Sequence, residues 1–174
     1  HKHEIARIGG YAIYLSSLIG SALFLKADHQ INAIMVAGFI IFMVGLYDDS
    51  HDLSPKVKLI FEVIAALIVI VYGEIYIKGF GYFPSDAMTF LSGIVTLFWI
   101  VGITNAINLI DGLDGLSAGI SIIVLVTISM TSLLSGRSDI ASLSLILAGS
   151  IMSFLFFNFH PAKIFMGDCG ALYI

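Results

Sequence analysis

Long stretches without a charged residue constrain this chain more than any other feature of its sequence. Five stretches contain no Asp, Glu, Lys or Arg, and a sixth has only Lys58 and Glu62 near one end. About 20 apolar residues suffice to cross the hydrocarbon of a bilayer as a helix. The pattern therefore predicts an all-α, polytopic integral membrane protein with about six transmembrane helices, at residues 8–25, 29–47, 57–73, 87–104, 116–135 and 140–157.

The composition supports a membrane protein over a soluble one. The chain is 59% hydrophobic and 11% charged, whereas a soluble domain has about 25% charged residues. Six buried helices of a soluble protein would need amphipathic helices around them, and the sequence has almost none. The single cysteine, Cys169, excludes an internal disulfide. No basic array indicates a nucleic-acid partner.

Alternating crossings place four segments on one side of the membrane, at residues 1–7, 48–56, 105–115 and 158–174. This side has five Lys or Arg residues against three on the other, and the excess predicts that it is cytoplasmic. On the opposite side, the loop at residues 74–86 contains Gly79, Gly81 and Pro84 and is predicted to be a turn-rich connector.

Six carboxylates lie in three of the cytoplasmic segments. Because two crossings return the chain to the side it left, the three segments are expected to meet at one membrane face. Neighbouring carboxylates repel one another and favour a shared cation or proton. Acidic groups at such a surface indicate a divalent cation and a phosphorylated substrate. The six are Asp48, Asp49, Asp52, Asp111, Asp114 and Asp168.

The first acidic segment has the form Asp-Asp-x-x-Asp and precedes a helix that Pro55 can begin. Lys56 and Lys58 follow closely and could contact phosphate oxygens. A solvated acidic loop before a helix is the alternative, and the same acidic string occurs in prenyl-diphosphate enzymes. Glu62 lies four residues after Lys58 and is predicted to pair with it locally rather than to act in catalysis.

The second segment repeats a polar side chain every third residue, which places these groups along one side of a helix end or a tight turn. Glycines between and after them permit close approach of a ligand or a neighbouring helix. A polar loop between helices is the alternative. The polar residues are Asn105, Asn108, Asp111 and Asp114, and the glycines are Gly112, Gly115 and Gly119.

The third segment places Asp168 between Gly167 and Gly170, an arrangement that suits a metal ligand. Phe165 could stack on a planar base, and Lys163 could pair with a phosphate. His160 is interpreted as a loop residue rather than a ligand.

Taken in order, these strings resemble the polyprenyl-phosphate N-acetylhexosamine-1-phosphate transferase family, glycosyltransferase family 4. Its members carry DDxxD or DDxxK, then NxxNxxDGxDGL, then PAKxFMGDxGS, and here the matching strings are residues 48–52, 105–116 and 161–171. A His-Lys…Arg-x-Gly-Gly string at residues 1–10 also matches. Ala6 and Ala171 depart from the family's usual proline and serine.

The resemblance implies transfer of N-acetylhexosamine-1-phosphate from a UDP-N-acetylhexosamine to a polyprenyl (undecaprenyl) phosphate, with release of UMP. This would be the first membrane step of cell-envelope glycan synthesis, at a cytoplasmic active site of the inner (plasma) membrane. The implied cofactor is Mg²⁺, with Mn²⁺ as the alternative.

The resemblance also implies roles for individual residues. Asp168 would be the metal ligand, Asp48 and Asp49 would handle the lipid phosphate with Asp48 as the base, and Phe165 would stack on uracil. The implied catalytic residues are Asp48, Asp49, Asp111, Asp114 and Asp168. The implied substrate-binding residues are Asn105, Asn108, Lys56, Lys58, Lys163, Phe165, Asp52 and Gly112.

Asp52 favours the UDP-N-acetylhexosamine branch, because the phospho-N-acetylmuramoyl-pentapeptide transferase branch tends to have lysine there. That second branch stays an alternative. The chain is expected to be a fragment, the second to seventh spans of a ten- or eleven-helix enzyme, without the family's His-x-His loop. The sugar and the oligomeric state, a homodimer included, stay open.

Two other classes of membrane protein also carry acidic residues. An intramembrane prenyltransferase has Asp-rich loops that bind Mg²⁺, but it does not need the Asn- and Gly-rich second segment. A cation transporter would carry acids near the middle of its spans rather than at their ends.

Overall fold

A computed structural model of the chain describes residues 6–77 and 86–174, with side chains omitted at 86–88. The described residues are helical with connecting turns, and none is in a strand. α3 continues into a π-helical segment, Ile68–Tyr72. The α-helices are α1 (Gly9–Phe24), α2 (His29–His51), α3 (Pro55–Leu67), α4 (Asp86–Ile110), α5 (Leu116–Leu134), α6 (Ser138–Asn158) and α7 (Asp168–Ala171).

Four helices of the described chain are long and apolar enough to cross a membrane, judged by length and composition: α2, α5, α6 and the Thr89–Ile110 part of α4. α1 is also apolar but has 16 residues. The prediction of an all-α, polytopic membrane protein is confirmed. The count of six crossings stays a prediction, because α1 and α3 are shorter than a typical span.

Two helices extend further toward the acidic segments than the predicted spans. α2 ends at His51 rather than at residue 47, and α4 ends at Ile110 rather than at 104. The predicted spans end before the first strongly polar residue of each acidic segment, but backbone hydrogen bonding can continue the helix beyond that point. Two further predictions concern residues outside the described ranges: the connector with Gly79, Gly81 and Pro84, and the His1-Lys2 pair.

The helices pack in two groups that both contact α7. α5 and α6 pack along each other, and α1 packs on α6. α2 packs against α3 and, together with α1, against α7. The core between α1, α5, α6 and α7 is formed by Ile13, Ala118, Ile122, Ile151, Phe154, Met166 and Ala171. The short α7, which begins at Asp168, therefore lies between the first two helices of the chain.

The segment before α7 is hydrogen-bonded to the start of α1. The backbone N–H groups of Gly9 and Gly10 donate to the carbonyl oxygens of Phe165 and Met166, with N···O distances of 3.0 and 2.8 Å. The N–H of Phe165 in turn donates to Ala6 at 3.0 Å. These bonds join two parts of the chain that are far apart in sequence and fix the approach to Asp168.

Candidate active site

The three acidic segments converge at the end of the helices from which they arise. Asp49, in the last turn of α2, accepts hydrogen bonds from the backbone N–H groups of Asp168 at 2.8 Å and Cys169 at 3.1 Å. Carboxylates are favourable at a helix N-terminus because the first N–H groups have no partner within the helix. Asp49 therefore joins α2 to the first turn of α7.

Asp114 and Asn158 join the second segment to the third. Asp114 Oδ2 accepts from the backbone N–H of Ala162 at 3.1 Å and lies 3.0 Å from His160 Nδ1. The bond from Ala162 lowers the pKa of Asp114, and the contact with His160 adds to this effect. The buried Asn158 amide accepts from Gly115 N–H at 2.9 Å and donates to the Ile164 carbonyl at 3.0 Å.

Lys58 connects the first and third segments. Its Nζ lies 2.7 Å from Asp48 Oδ2 and 3.2 Å from Asp168 Oδ2. The Asp48 side chain is only 4% exposed, and its second oxygen accepts from the Leu53 N–H. Because both carboxylate oxygens of Asp48 are engaged, Asp48 holds Lys58 and the start of α3 in place.

A cavity of about 400 Å³ lies beside this cluster. It is of a size that holds small ligands. One wall comes from the end of α4, another from the segment that leads into α7, and Arg7 supplies a cation. The lining residues are Arg7, Asn108, Leu109, Asp111, Gly112, Phe165, Gly167 and Asp168.

Two carboxylates in the cavity wall have raised pKa values. Burial raises the pKa of Asp111 to about 6, against the lowering effect of a hydrogen bond from Ser117, and the charges of Asp168 and Asp49 add to the rise. Burial also raises the pKa of Asp168 to about 6, as does the neighbouring Asp48, while Lys58 opposes the rise. Such neighbouring carboxylates are stabilised when a cation is added.

The oxygen ligands that line this cavity are of the kind that Mg²⁺ prefers. No three His, Cys, Asp or Glu side chains within residues 6–77 and 86–174 are grouped to hold a metal by themselves. Mg²⁺, however, is usually bound by one or two carboxylates together with substrate phosphates and water. Asp111 and Asp168 supply two carboxylates on one cavity, and Asn108 supplies an amide oxygen.

Not every predicted site residue lines the cavity. Asn108, Asp111, Gly112, Phe165 and Asp168 do. Asp48, Asp49, Asp114 and Lys58 form the hydrogen bonds and ion pairs that hold its walls. Asn105 donates a hydrogen bond to Glu62 and does not line the cavity. The exposed Asp52, Lys56 and Lys163 are outside the lining, and the roles predicted for all of these residues stay predictions.

One predicted contact is wrong. Lys58 and Glu62 were expected to pair on one face of α3, but Lys58 forms its ion pairs with Asp48 and Asp168. Glu62 instead accepts a hydrogen bond from Asn105 on α4. Partners on other helices displace the local pair, because spacing of four residues by itself stabilises an isolated helix by only about 0.5 kcal/mol.

Three further residues of the site were not singled out by their chemistry in the sequence. Arg7 lines the cavity, Ser117 Oγ donates to Asp111 Oδ1, and Asn158 bridges two segments. Arg7 directly precedes the first predicted span and Asn158 directly follows the last, positions that could have marked them. Ser117 carries no such signal, since serines recur along the apolar helices.

Gly45 on α2 allows α7 to approach closely enough for the Asp49 and Lys58 contacts. A Cβ at Gly45 would lie 2.6 Å from the Asp168 carbonyl oxygen. This oxygen belongs to the backbone, so it cannot rotate away as a side chain could. We expect Gly45→Ala to destabilise the protein by about 1 to 3 kcal/mol, measured by thermal unfolding in detergent. Gly102→Ala is the control, because its Cβ would meet nothing within 4 Å; equal stability of the two variants would contradict the close approach.

Comparison with known proteins gives relatives along the whole chain. It is 42% identical over 181 residues to the "Probable undecaprenyl-phosphate N-acetylglucosaminyl 1-phosphate transferase" of Bacillus subtilis (strain 168), covering 100% of this chain and 49% of that protein. It is 36% identical over 199 residues to the "Decaprenyl-phosphate N-acetylglucosaminephosphotransferase" of Mycobacterium leprae (strain TN), covering 100% of this chain and 49% of the relative.

A relative with a different substrate in its name is also similar. The "Phospho-N-acetylmuramoyl-pentapeptide-transferase" of Thermoanaerobacter sp. (strain X514) is 33% identical over 186 residues, covering 99% of this chain and 58% of that protein. The chain thus spans about half the length of the curated relatives it matches. The family model described as "Glycosyl transferase family 4" matches residues 31–174. Together with the convergence of the three acidic segments, this match shows that the chain belongs to glycosyl transferase family 4.

Proposed function

We propose that this chain forms much of the active site of an enzyme that transfers N-acetylhexosamine-1-phosphate from a UDP-sugar to a polyprenyl phosphate, releasing UMP. The observation that carries the proposal is the cavity that Asp111 and Asp168, from two separate segments, line together with Arg7 and Phe165. The phosphates of a nucleotide need cationic partners, and the base of the nucleotide needs an apolar surface. A phosphoryl transfer also needs neutralisation of the charge on the phosphates. The cavity offers groups for all three needs.

Some residues of the site bind the substrate, and others hold the cavity walls in place. Phe165 offers a ring to the uracil, and Arg7 offers a guanidinium to a phosphate. Asn108, in the last turn of α4, and Asp111, just after it, orient the sugar nucleotide. Asp49, Asp114 and Asn158 keep the two walls together through backbone hydrogen bonds.

Asp168 and Asp111 are the residues that would hold Mg²⁺. When bound, the ion would neutralise charge on the pyrophosphate of the UDP-sugar. Lys58 keeps Asp168 beside Asp48, so the base proposed for the lipid phosphate lies next to the proposed metal ligand.

The test is UMP release by the protein expressed from its complete gene and purified in detergent. We expect release from UDP-N-acetylglucosamine to require both undecaprenyl phosphate and Mg²⁺ or Mn²⁺, and to stop when a chelator is added. Pyrophosphate release from a prenyl diphosphate would instead favour a prenyltransferase, and cation flux in vesicles would favour a transporter.

The pentapeptide branch is a second candidate, because one relative at 33% identity carries that name. Asp52 directly follows α2 in a left-handed conformation and is exposed, so it is open to a substrate group outside the cavity. We expect the enzyme to accept a UDP-N-acetylhexosamine and to reject UDP-N-acetylmuramoyl-pentapeptide. Turnover of the pentapeptide substrate would refute the branch assignment.

The site is proposed to face the cytoplasm from the plasma membrane. Single cysteines at the exposed positions Asp52, Leu113 and Lys163 are expected to react with a membrane-impermeant reagent only from the cytoplasmic side. Cysteines at His29 and Arg137 should react only from the opposite side. The native Cys169 is fully buried and serves as the unlabelled background. Labelling of both groups from one side would contradict the alternation of spans.

A further inference from the structure

Glu62 is a buried carboxylate inside a helix of the membrane protein, and the proposed reaction leaves it without a role. Glu62 is 3% exposed. Side chains four residues apart lie on one face of a helix, so Glu62 shares the face of α3 that carries Lys58 and lies one turn further along it. An ionisable residue within an apolar helix is costly, and such residues usually serve a function.

The partner of Glu62 lies on α4. Asn105 Nδ2 donates to Glu62 Oε2, and it also donates to the carbonyl oxygen of Val101 at 2.9 Å. An asparagine amide has two N–H donors, and both have acceptors here. In this arrangement the Asn105 amide nitrogen holds α4 against α3 instead of meeting a substrate.

This contact lies directly behind one wall of the cavity. Asn105 and Asn108 are three residues apart on α4 and are therefore neighbours on its surface. Asn108 and Asp111 line the cavity. One face of α3 thus contacts both walls: Lys58 reaches Asp168 on one side, and Glu62 reaches α4 on the other.

We propose that Glu62 is a positioning residue, which fixes the end of α4 and so sets Asn108 and Asp111 at their separation from Asp168. The inference rests on the proposed function for its kinetic consequence, whereas the position of α4 can be measured without any reaction. A merely structural side chain would change stability without changing the separation of the two walls.

The first test compares Glu62→Ala with Glu62→Gln in the protein expressed from its complete gene. Glutamine retains a side-chain oxygen that can accept from Asn105, whereas alanine has none. Displacement of a catalytic wall by about 1 Å can cost on the order of 100-fold in rate. We expect Glu62→Ala to lower kcat by about 10- to 100-fold, and Glu62→Gln to retain most of the wild-type kcat.

Thr96→Ala is the matched control on the same helix. Thr96 is 4% exposed, accepts from the Ile77 N–H at 2.9 Å and lies outside the cavity lining. Its loss should destabilise the fold, as loss of any buried hydrogen bond does, and should leave kcat unchanged. Equal falls in kcat for Thr96→Ala and Glu62→Ala would overturn the positioning role.

The second test measures the position of α4 directly. Spin labels at the exposed residues Ser50, in the last turn of α2, and Leu113, just after α4, report their separation by electron paramagnetic resonance. We expect Glu62→Ala to shift or broaden the distance distribution, while Glu62→Gln and Thr96→Ala resemble wild type. Adding Asn105→Ala to Glu62→Ala should cause no further change, because the shared hydrogen bond is already lost.

The outcomes separate this inference from the proposed function. An unchanged distance distribution in Glu62→Ala would overturn the inference even if the wild-type protein released UMP. If the wild-type protein released no UMP from any UDP-sugar, the proposed function would fail. A shifted distribution in Glu62→Ala would then still support the positioning of α4 by Glu62.

Discussion

Replacing Asp168 by asparagine is expected to lower Mg²⁺-dependent UMP release on the order of 100- to 1000-fold, the usual cost of losing one strong electrostatic contact in a transition state. Asparagine has the size of aspartate and keeps the backbone N–H that donates to Asp49 at 2.8 Å. It removes the anionic oxygen that lies in the cavity wall and pairs with Lys58. The variant therefore tests charge at the proposed metal site rather than the fold.

Asp52→Asn is the control for this loss of charge. Asp52 is exposed and has a positive φ of 49°, a conformation that asparagine also tolerates. We expect a much smaller loss of UMP release than in Asp168→Asn, with both variants checked by gel filtration in detergent. Binding of Mn²⁺, followed by its paramagnetic resonance signal, gives a second measurement that does not depend on turnover. Near-normal activity and Mn²⁺ binding in Asp168→Asn would remove the metal role from this residue.

Much of the fold could be predicted because a bilayer leaves few choices to an apolar chain. Backbone groups within hydrocarbon must be bonded internally, so uncharged runs become helices. This rule does not predict where a helix ends. α2 continues through Asp48 and Asp49, and α4 through Asn105 and Asn108, because polar side chains near the interface can find hydrogen-bonding or ionic partners while the backbone stays helical.

Counting membrane crossings predicts that the acidic segments converge, but it does not predict the role of each carboxylate. Asp48, Asp49 and Asp114 look alike in sequence to Asp111 and Asp168. In the structure, Asp49 and Asp114 accept backbone N–H groups from distant segments, whereas Asp111 and Asp168 line the cavity. A carboxylate suits either a metal or an exposed backbone N–H, so only the tertiary arrangement distinguishes these duties.

The error at Lys58 and Glu62 has a similar origin. Spacing along a helix predicts which side chains could meet, but it does not include competitors from other helices. Asp48 and Asp168 supply two carboxylates to Lys58, and Asn105 supplies an N–H to Glu62. Each group therefore has a partner on another element. The cross-helix network could not be read from the sequence of α3 alone.

This network leads to the second large effect that we expect, a loss of stability of about 3 kcal/mol in Lys58→Met. The substitution leaves the Asp48 carboxylate, which is 4% exposed, without its cation. Removing one partner of a buried ion pair costs about 3 to 5 kcal/mol, because the remaining charge stays desolvated. We expect the lower end of this range, since the Lys58 side chain is 20% exposed and partly solvated.

Thermal unfolding in detergent measures this effect against two further variants. Lys56→Met changes an exposed lysine of the same helix and should alter stability by no more than about 0.5 kcal/mol. Lys58→Met combined with Asp48→Asn removes both charges and should recover much of the lost stability, because no buried charge is left alone. UMP release should nevertheless stay low in the combined variant, since Asp168 has also lost the cation that holds it beside Asp48. Equal stability of Lys58→Met and Lys56→Met would show that the ion pair at Asp48 does not hold α3 to the site.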